Sequence, residues 1–110
     1  MSDKSLFLKI ISEIKCFINE LPENHIYANC KIDITNNDKE NFRVILEFDN
    51  CIGEIIVDKP SFAPYRYVKI EVLSYVDGKP VFTWYDEEND TCEYILEQLC
   101  KGLNFAVNYK

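Results

Sequence analysis

The sequence predicts a single α+β domain: an N-terminal helix packed on a mainly antiparallel sheet of five to six strands, with a second helix near the C-terminus. Three observations carry this. Apolar residues recur every three to four positions up to Leu21. From Ile26 the period drops to two and stays there in several short runs separated by turn residues. After Thr91 the helical period returns. A chain of 110 residues, 47% hydrophobic with only 3 Gly and 4 Pro, is one domain with enough apolar material for a core.

Leu6, Phe7, Ile10, Ile11, Ile14, Phe17, Ile18 and Leu21 form the stripe of an amphipathic helix over Asp3 to Leu21, stopped at Pro22, with Ser2 or Asp3 as its cap. Ile26, Ala28, Cys30, Ile32 and Ile34 then alternate with polar neighbours and with Tyr27, as in a half-buried strand. Asn36 to Lys39 is turn chemistry. Phe42, Val44, Leu46 and Phe48 are the inward set of a second strand. Asp49-Asn50 turns into a third, Cys51 to Val57. Pro60 to Pro64 is a loop. A fourth strand over Tyr65 to Val76 puts Val68, Ile70 and Val72 inward, hence Tyr65, Tyr67 and Tyr75 outward. Asp77-Gly78 marks a hairpin into Val81 to Tyr85. On that fifth strand either Phe82 and Trp84 or Val81 and Tyr85 share a face. Asp90 followed by Glu93 has capping-box spacing. Cys92, Ile95, Leu96, Leu99 and Leu103 share one helix face, and Gly102 suits a helix end. Leu103, Phe105, Val107 and Tyr109 alternate afterwards, which reads as a last strand.

No stretch reaches the roughly 20 apolar residues of a membrane span, and the N-terminus lacks a signal-peptide pattern, so the expected location is cytoplasmic. Five scattered cysteines without a C-x-x-C, beside one histidine, His25, offer no zinc spacing and read as reduced thiols, mostly buried. The net charge of −7 would repel a phosphate backbone and favours a basic protein partner over nucleic acid or membrane.

The chemistry-bearing stretch is FTWYDEENDTCEYILEQL, Phe82 to Leu99, with three aromatics at its start and six carboxylates but no Lys or Arg. Asp86, Glu88, Asp90 and Glu97 stand at the spacing of a calcium loop, but Thr91 occupies the glycine position and the helical period claims the same residues. A pair of catalytic carboxylates needs burial or a charge partner, and this connection is expected to be exposed. His25 is the only base available to a cysteine nucleophile, and a lone histidine at a strand edge is more simply structural. There is no G-x-S-x-G, P-loop or dinucleotide fingerprint. No catalytic residue, metal or cofactor is therefore expected. Acidic residues at a helix start are favoured by the macrodipole, which accounts for part of the cluster. The remainder reads as a surface: Asp86, Glu87, Glu88, Asp90, Glu93 and Glu97 as a patch for a basic partner, with Trp84, Tyr85, Tyr65, Tyr67 and Tyr75 as aromatic anchors.

The stretch WYDEENDTCEYILEQLCKGLNF, Trp84 to Phe105, resembles the acidic strand–helix endings of several immunity-protein families from bacterial contact-dependent growth inhibition and related polymorphic toxin systems. The small, acidic α+β chain rich in Asn, Lys and Ile is similar to them in type throughout, and no family residue is carried over. The resemblance implies a protein, monomeric or weakly dimeric, that neutralises a cognate toxin domain, commonly a nuclease with a cationic cleft. Two other readings remain at this point. One is a small-ligand or enzymatic domain with a pocket lined by Tyr27, His25 or a cysteine. The other is a chaperone or adaptor that takes a peptide at a sheet edge.

Overall fold

The computed structural model describes residues 3–110, with side chains from Ser5 onward; the cap expected from Ser2 or the Asp3 side chain lies outside what is described. Helix α1 spans Asp3–Glu20 and runs into a short 3-10 turn, Leu21–Glu23, with Pro22 in its first turn. Five strands follow: β1 (Lys31–Asn37), β2 (Phe42–Glu47), β3 (Cys51–Val57), β4 (Val68–Ser74) and β5 (Pro80–Tyr85). Helix α2, Cys92–Asn108, closes the described chain. The strands form one sheet in the order β1-β2-β3-β4-β5, every neighbouring pair antiparallel. Short connections favour pairing of β1 with β2, β2 with β3 and β4 with β5, and the longer 58–67 segment returns the chain beside β3.

The register fixes which side chains meet. Val44, Ile55, Ile70 and Trp84 oppose one another across four strands, and Leu46, Gly53, Val72 and Phe82 form the next row. These rows face the helices. Phe7, Ile10, Ile14 and Ile18 of α1 are buried in the same core as Ile95, Leu99 and Leu103 of α2. Burying each such side chain fully contributes about 1.5–3 kcal/mol, so this common stripe, rather than helix propensity, holds α1 and α2 against the sheet. The opposite face stays open, with Ile45, Ile52, Ile56 and Leu73 half-buried among Arg43, Glu47, Glu54, Lys69 and Glu71. Ion pairs Lys31–Glu47 at 3.7 Å, Lys69–Glu71 at 3.9 Å and Arg43–Glu54 lie on it.

Four sequence expectations need correction. The strand expected from Ile26 begins only at Lys31. His25–Tyr27 form a 3-10 turn, started by the Asn24 side chain accepting the Ile26 N–H at 3.0 Å. Parity there is the reverse of that expected: Ile26 is exposed, while Tyr27 is buried with its hydroxyl donating to Asn104 Oδ1 at 2.7 Å. The strand expected from Tyr65 begins at Val68, and Tyr67 is buried with its ring edge-on to Phe7 at 5.1 Å. Asp90 is not the cap of α2. Thr91 is, its side chain accepting the Tyr94 N–H at 3.1 Å. Finally, α2 does not end at Gly102 and no strand follows it. A Cβ at Gly102 would stand 2.7 Å from Ile70 Cδ1 and 2.9 Å from Phe82 Cε1, so the glycine serves close helix–sheet approach rather than a helix stop.

Candidate functional site: the acidic end of the sheet

At the end of β5 the chain must leave the sheet and enter α2, and Asp86 makes the junction. Its backbone continues the ladder, with Asp86 N–H donating to the Val68 carbonyl at 3.1 Å. Its side chain turns inward. Oδ1 accepts the successive N–H groups of Arg66, Tyr67 and Val68 at 2.9, 2.8 and 2.9 Å. Three consecutive amides converging on one oxygen cannot alternate as a pleated strand does, which is why β4 starts at Val68 and Tyr67 is free to enter the core. Asp86 is only 2% exposed, which corrects its placement on an exposed acidic surface. Its Oδ2 is the buried side-chain oxygen without a hydrogen-bond partner among the described residues. Burial pushes the carboxyl above its ordinary range, against the pull of the three N–H bonds and of the Arg66 guanidinium.

The turn after it is braced from both sides. Asp90 Oδ2 accepts the Glu87 N–H at 2.8 Å, and the Asp90 N–H donates to the Glu87 carbonyl at 3.1 Å. The Arg66 guanidinium donates to the Glu88 carbonyl and lies over the Tyr67 ring, 4.5 Å from its centroid. With its backbone held, the turn presents Glu87 and Glu88 to solvent, and Glu93 and Glu97 follow on the exposed side of α2. Four of the six expected carboxylates are thus displayed, Asp90 is half-buried and engaged in the turn, and Asp86 is a clamp.

The aromatic residues divide in the same way. Trp84 faces the helices and meets the Tyr94 ring edge-on at 6.2 Å. Tyr85 lies on the open sheet face opposite Lys69. Tyr65 stacks on it at 6.4 Å and donates its hydroxyl to Asp58 Oδ1 at 2.9 Å. Burial and that carboxylate push the Tyr65 hydroxyl up to about 12. Tyr75 is half-exposed in the hairpin beyond the far end of β4, a strand length of about 20 Å away. It does not join the acidic end. One residue absent from the expected set does. Tyr94 is 43% exposed between Glu93 and Glu97, just off the buried Cys92–Ile95–Leu99 stripe. Phe62 is 99% exposed at the centre of the Pro60–Pro64 loop. A shallow depression of about 420 Å³ lies at this corner, lined by Pro64, Tyr65, Arg66, Asp86, Glu87 and Glu88.

The residues expected to line an alternative pocket are placed otherwise. His25 is exposed, and Tyr27 fills core space. Cys30 borders a crevice of about 90 Å³, and burial raises its thiol to about 11. Among the described residues no cluster of three or more His, Cys, Asp or Glu is placed to hold a metal ion, and no helix is long and apolar enough to cross a membrane. Comparison of the chain with protein-family models, with curated proteins and with solved structures finds no match.

Proposed function

We propose that this chain is an immunity protein: a stoichiometric inhibitor that binds a basic toxin domain, such as a nuclease, of a contact-dependent or polymorphic toxin system and neutralises it. The observation that carries the reading is the display of Glu87, Glu88, Glu93 and Glu97 on one braced turn and the first two turns of α2. Carboxylates fixed on a rigid frame can take the place of substrate phosphates in a cationic cleft. Their field, added to a net charge of −7, steers a basic partner into encounter. Tyr94, Tyr65 and Tyr85 supply rigid aromatic area beside them. The binding surface so drawn leaves out Asp86, Tyr67 and Tyr75, and it uses Trp84 as a support for Tyr94.

Co-purification from the native host, with mass spectrometry of what accompanies the protein, tests the reading. The expected result is a one-to-one complex with a basic domain whose toxicity is suppressed when the two are co-expressed. Recovery of the protein alone, or with a partner whose activity it leaves unchanged, rejects it.

A further inference from the structure

The Pro60–Pro64 loop is built as a presented element. Its neck is closed by the Asp58 N–H donating to the Tyr67 carbonyl at 3.0 Å. The Tyr65 hydroxyl ties back to Asp58, and Asp86 Oδ1 gathers the amides of residues 66 to 68 just beyond it. Two prolines restrict the backbone between. At its centre stands Phe62, fully solvated and therefore useless to the fold. A single exposed apolar residue needs no explanation by itself. Phe62 precedes Pro64 by two residues, and Pro64 lines the depression that Glu87 and Glu88 also line. The same lining includes Asp86, whose Oδ2 has no hydrogen-bond partner among the described residues. An aromatic side chain on a pre-ordered loop loses little entropy on binding, and a flanking carboxylate pair selects what it binds.

We propose that the Pro60–Pro64 loop is the apolar anchor of the interface: Phe62 enters a pocket on a basic protein partner while a Lys or Arg of that partner occupies the depression between Tyr65 and Glu87–Glu88. This rests on the reading of the protein as an inhibitor of a basic domain, and it names the contact on which tight binding depends. Glu93 and Glu97 then steer, and Phe62 holds.

Site-specific photocrosslinking in the native host tests it, with p-benzoylphenylalanine placed singly at Phe62, at Tyr94 and at Val76. Val76 is 93% exposed in the hairpin at the other end of β4 and serves as the control. The expected result is capture at position 62 of one protein domain with more Lys and Arg than Asp and Glu, with Val76 silent. In the captured complex, Phe62→Ala should weaken affinity at least about 30-fold, as for an interface hot spot. It should leave the unfolding midpoint of the free protein unchanged, so lost binding cannot be blamed on lost folding. Capture at Tyr94 alone leaves the inhibitor reading standing and overturns the anchor. Capture at 62 of an acidic protein, or equal capture at 62 and 76, also overturns it. Silence at both 62 and 94 removes the anchor and the inhibitor reading together.

Discussion

At Asp86 a single carboxylate oxygen satisfies three backbone amides, and everything around the acidic end depends on that contact. Asp86→Ala leaves those amides without their acceptor, two of them at buried positions, which should cost about 3 kcal/mol in urea unfolding. Asp86→Asn keeps an oxygen for the three amides, removes the charge and puts an amide nitrogen in place of Oδ2, so it should cost less than Asp86→Ala and the native fold should survive. The two differ in pH dependence, and the sign follows from burial. Because the folded-state carboxyl titrates above its unfolded value, the folded chain holds its proton more firmly than the unfolded chain. The stabilisation that this proton gives is present in full below the unfolded value of about 3.8 and is lost as pH rises through the folded value. On acidification, Asp86 therefore adds stability. From pH 7 down to about 4, the native chain should gain in unfolding midpoint relative to Asp86→Asn. Parallel curves would mean that the three N–H bonds, not burial, decide this titration.

Among the elements, α2 shows most clearly what periodicity can and cannot decide. Leu99, Leu103 and Ala106 keep helical spacing, yet Leu103, Phe105, Val107 and Tyr109 also alternate, and Gly102 between them looks like a terminus. What settles the matter lies outside the segment: Ile70 and Phe82 approach so closely that only a glycine fits in the helix there. Gly102→Ala should gain about 1 kcal/mol of helix propensity and lose more to overpacking, since Ile70 Cδ1 and the Phe82 ring must both shift and Ile70 is fully buried. The net loss should be about 1–2 kcal/mol by urea unfolding. A neutral or stabilised variant would show that the two side chains repack freely. At the other end of α2, Thr91→Ala should cost about 1 kcal/mol, whereas Asp90→Asn, which can still accept the Glu87 N–H, should stay within about 0.5 kcal/mol. The reverse order would return the cap to Asp90. The meander, the inward sets of β2 and β3 and the stripe of α1 were legible because hydrophobic period and turn residues agree there. The burial of Tyr27, the inward turn of Tyr67 and the passage of α2 through Gly102 were not, because each involves a partner distant in sequence: Asn104, Asp86 and Ile70 respectively. In the candidate site Glu93 and Glu97 were legible from helical phase, and Glu87 and Glu88 from the polar connection before it. The buried role of Asp86 was hidden, since a carboxylate beside Glu87 and Glu88 carries no mark of the three amides it serves.

For the whole molecule, the fold separates stability from surface. Both helices cover one face of the sheet, so the core closes without any contribution from Glu87, Glu88, Glu93 or Glu97. Their repulsion is tolerated because they are solvated, and changing them should leave the fold intact. Binding should respond differently. For a chain of net charge −7, association with a basic domain is accelerated by the long-range field, and the share due to this end is set by charges that share one side of the molecule. The double variant Glu88→Lys with Glu93→Lys shifts the net charge from −7 to about −3 and cancels the charge of the four displayed glutamates where the partner approaches. Stopped-flow association with the captured basic domain should slow about 10-fold or more at low salt, and the native dependence of that rate on ionic strength should flatten. Dissociation should accelerate as well, because Glu88 borders the depression that takes the partner's Lys or Arg. Phe62→Ala should act on dissociation alone, with association nearly unchanged. If the double reversal leaves the rate and its salt dependence untouched, the partner approaches another side of the molecule. Steering and anchoring are then no longer joined at the corner where β5 meets α2.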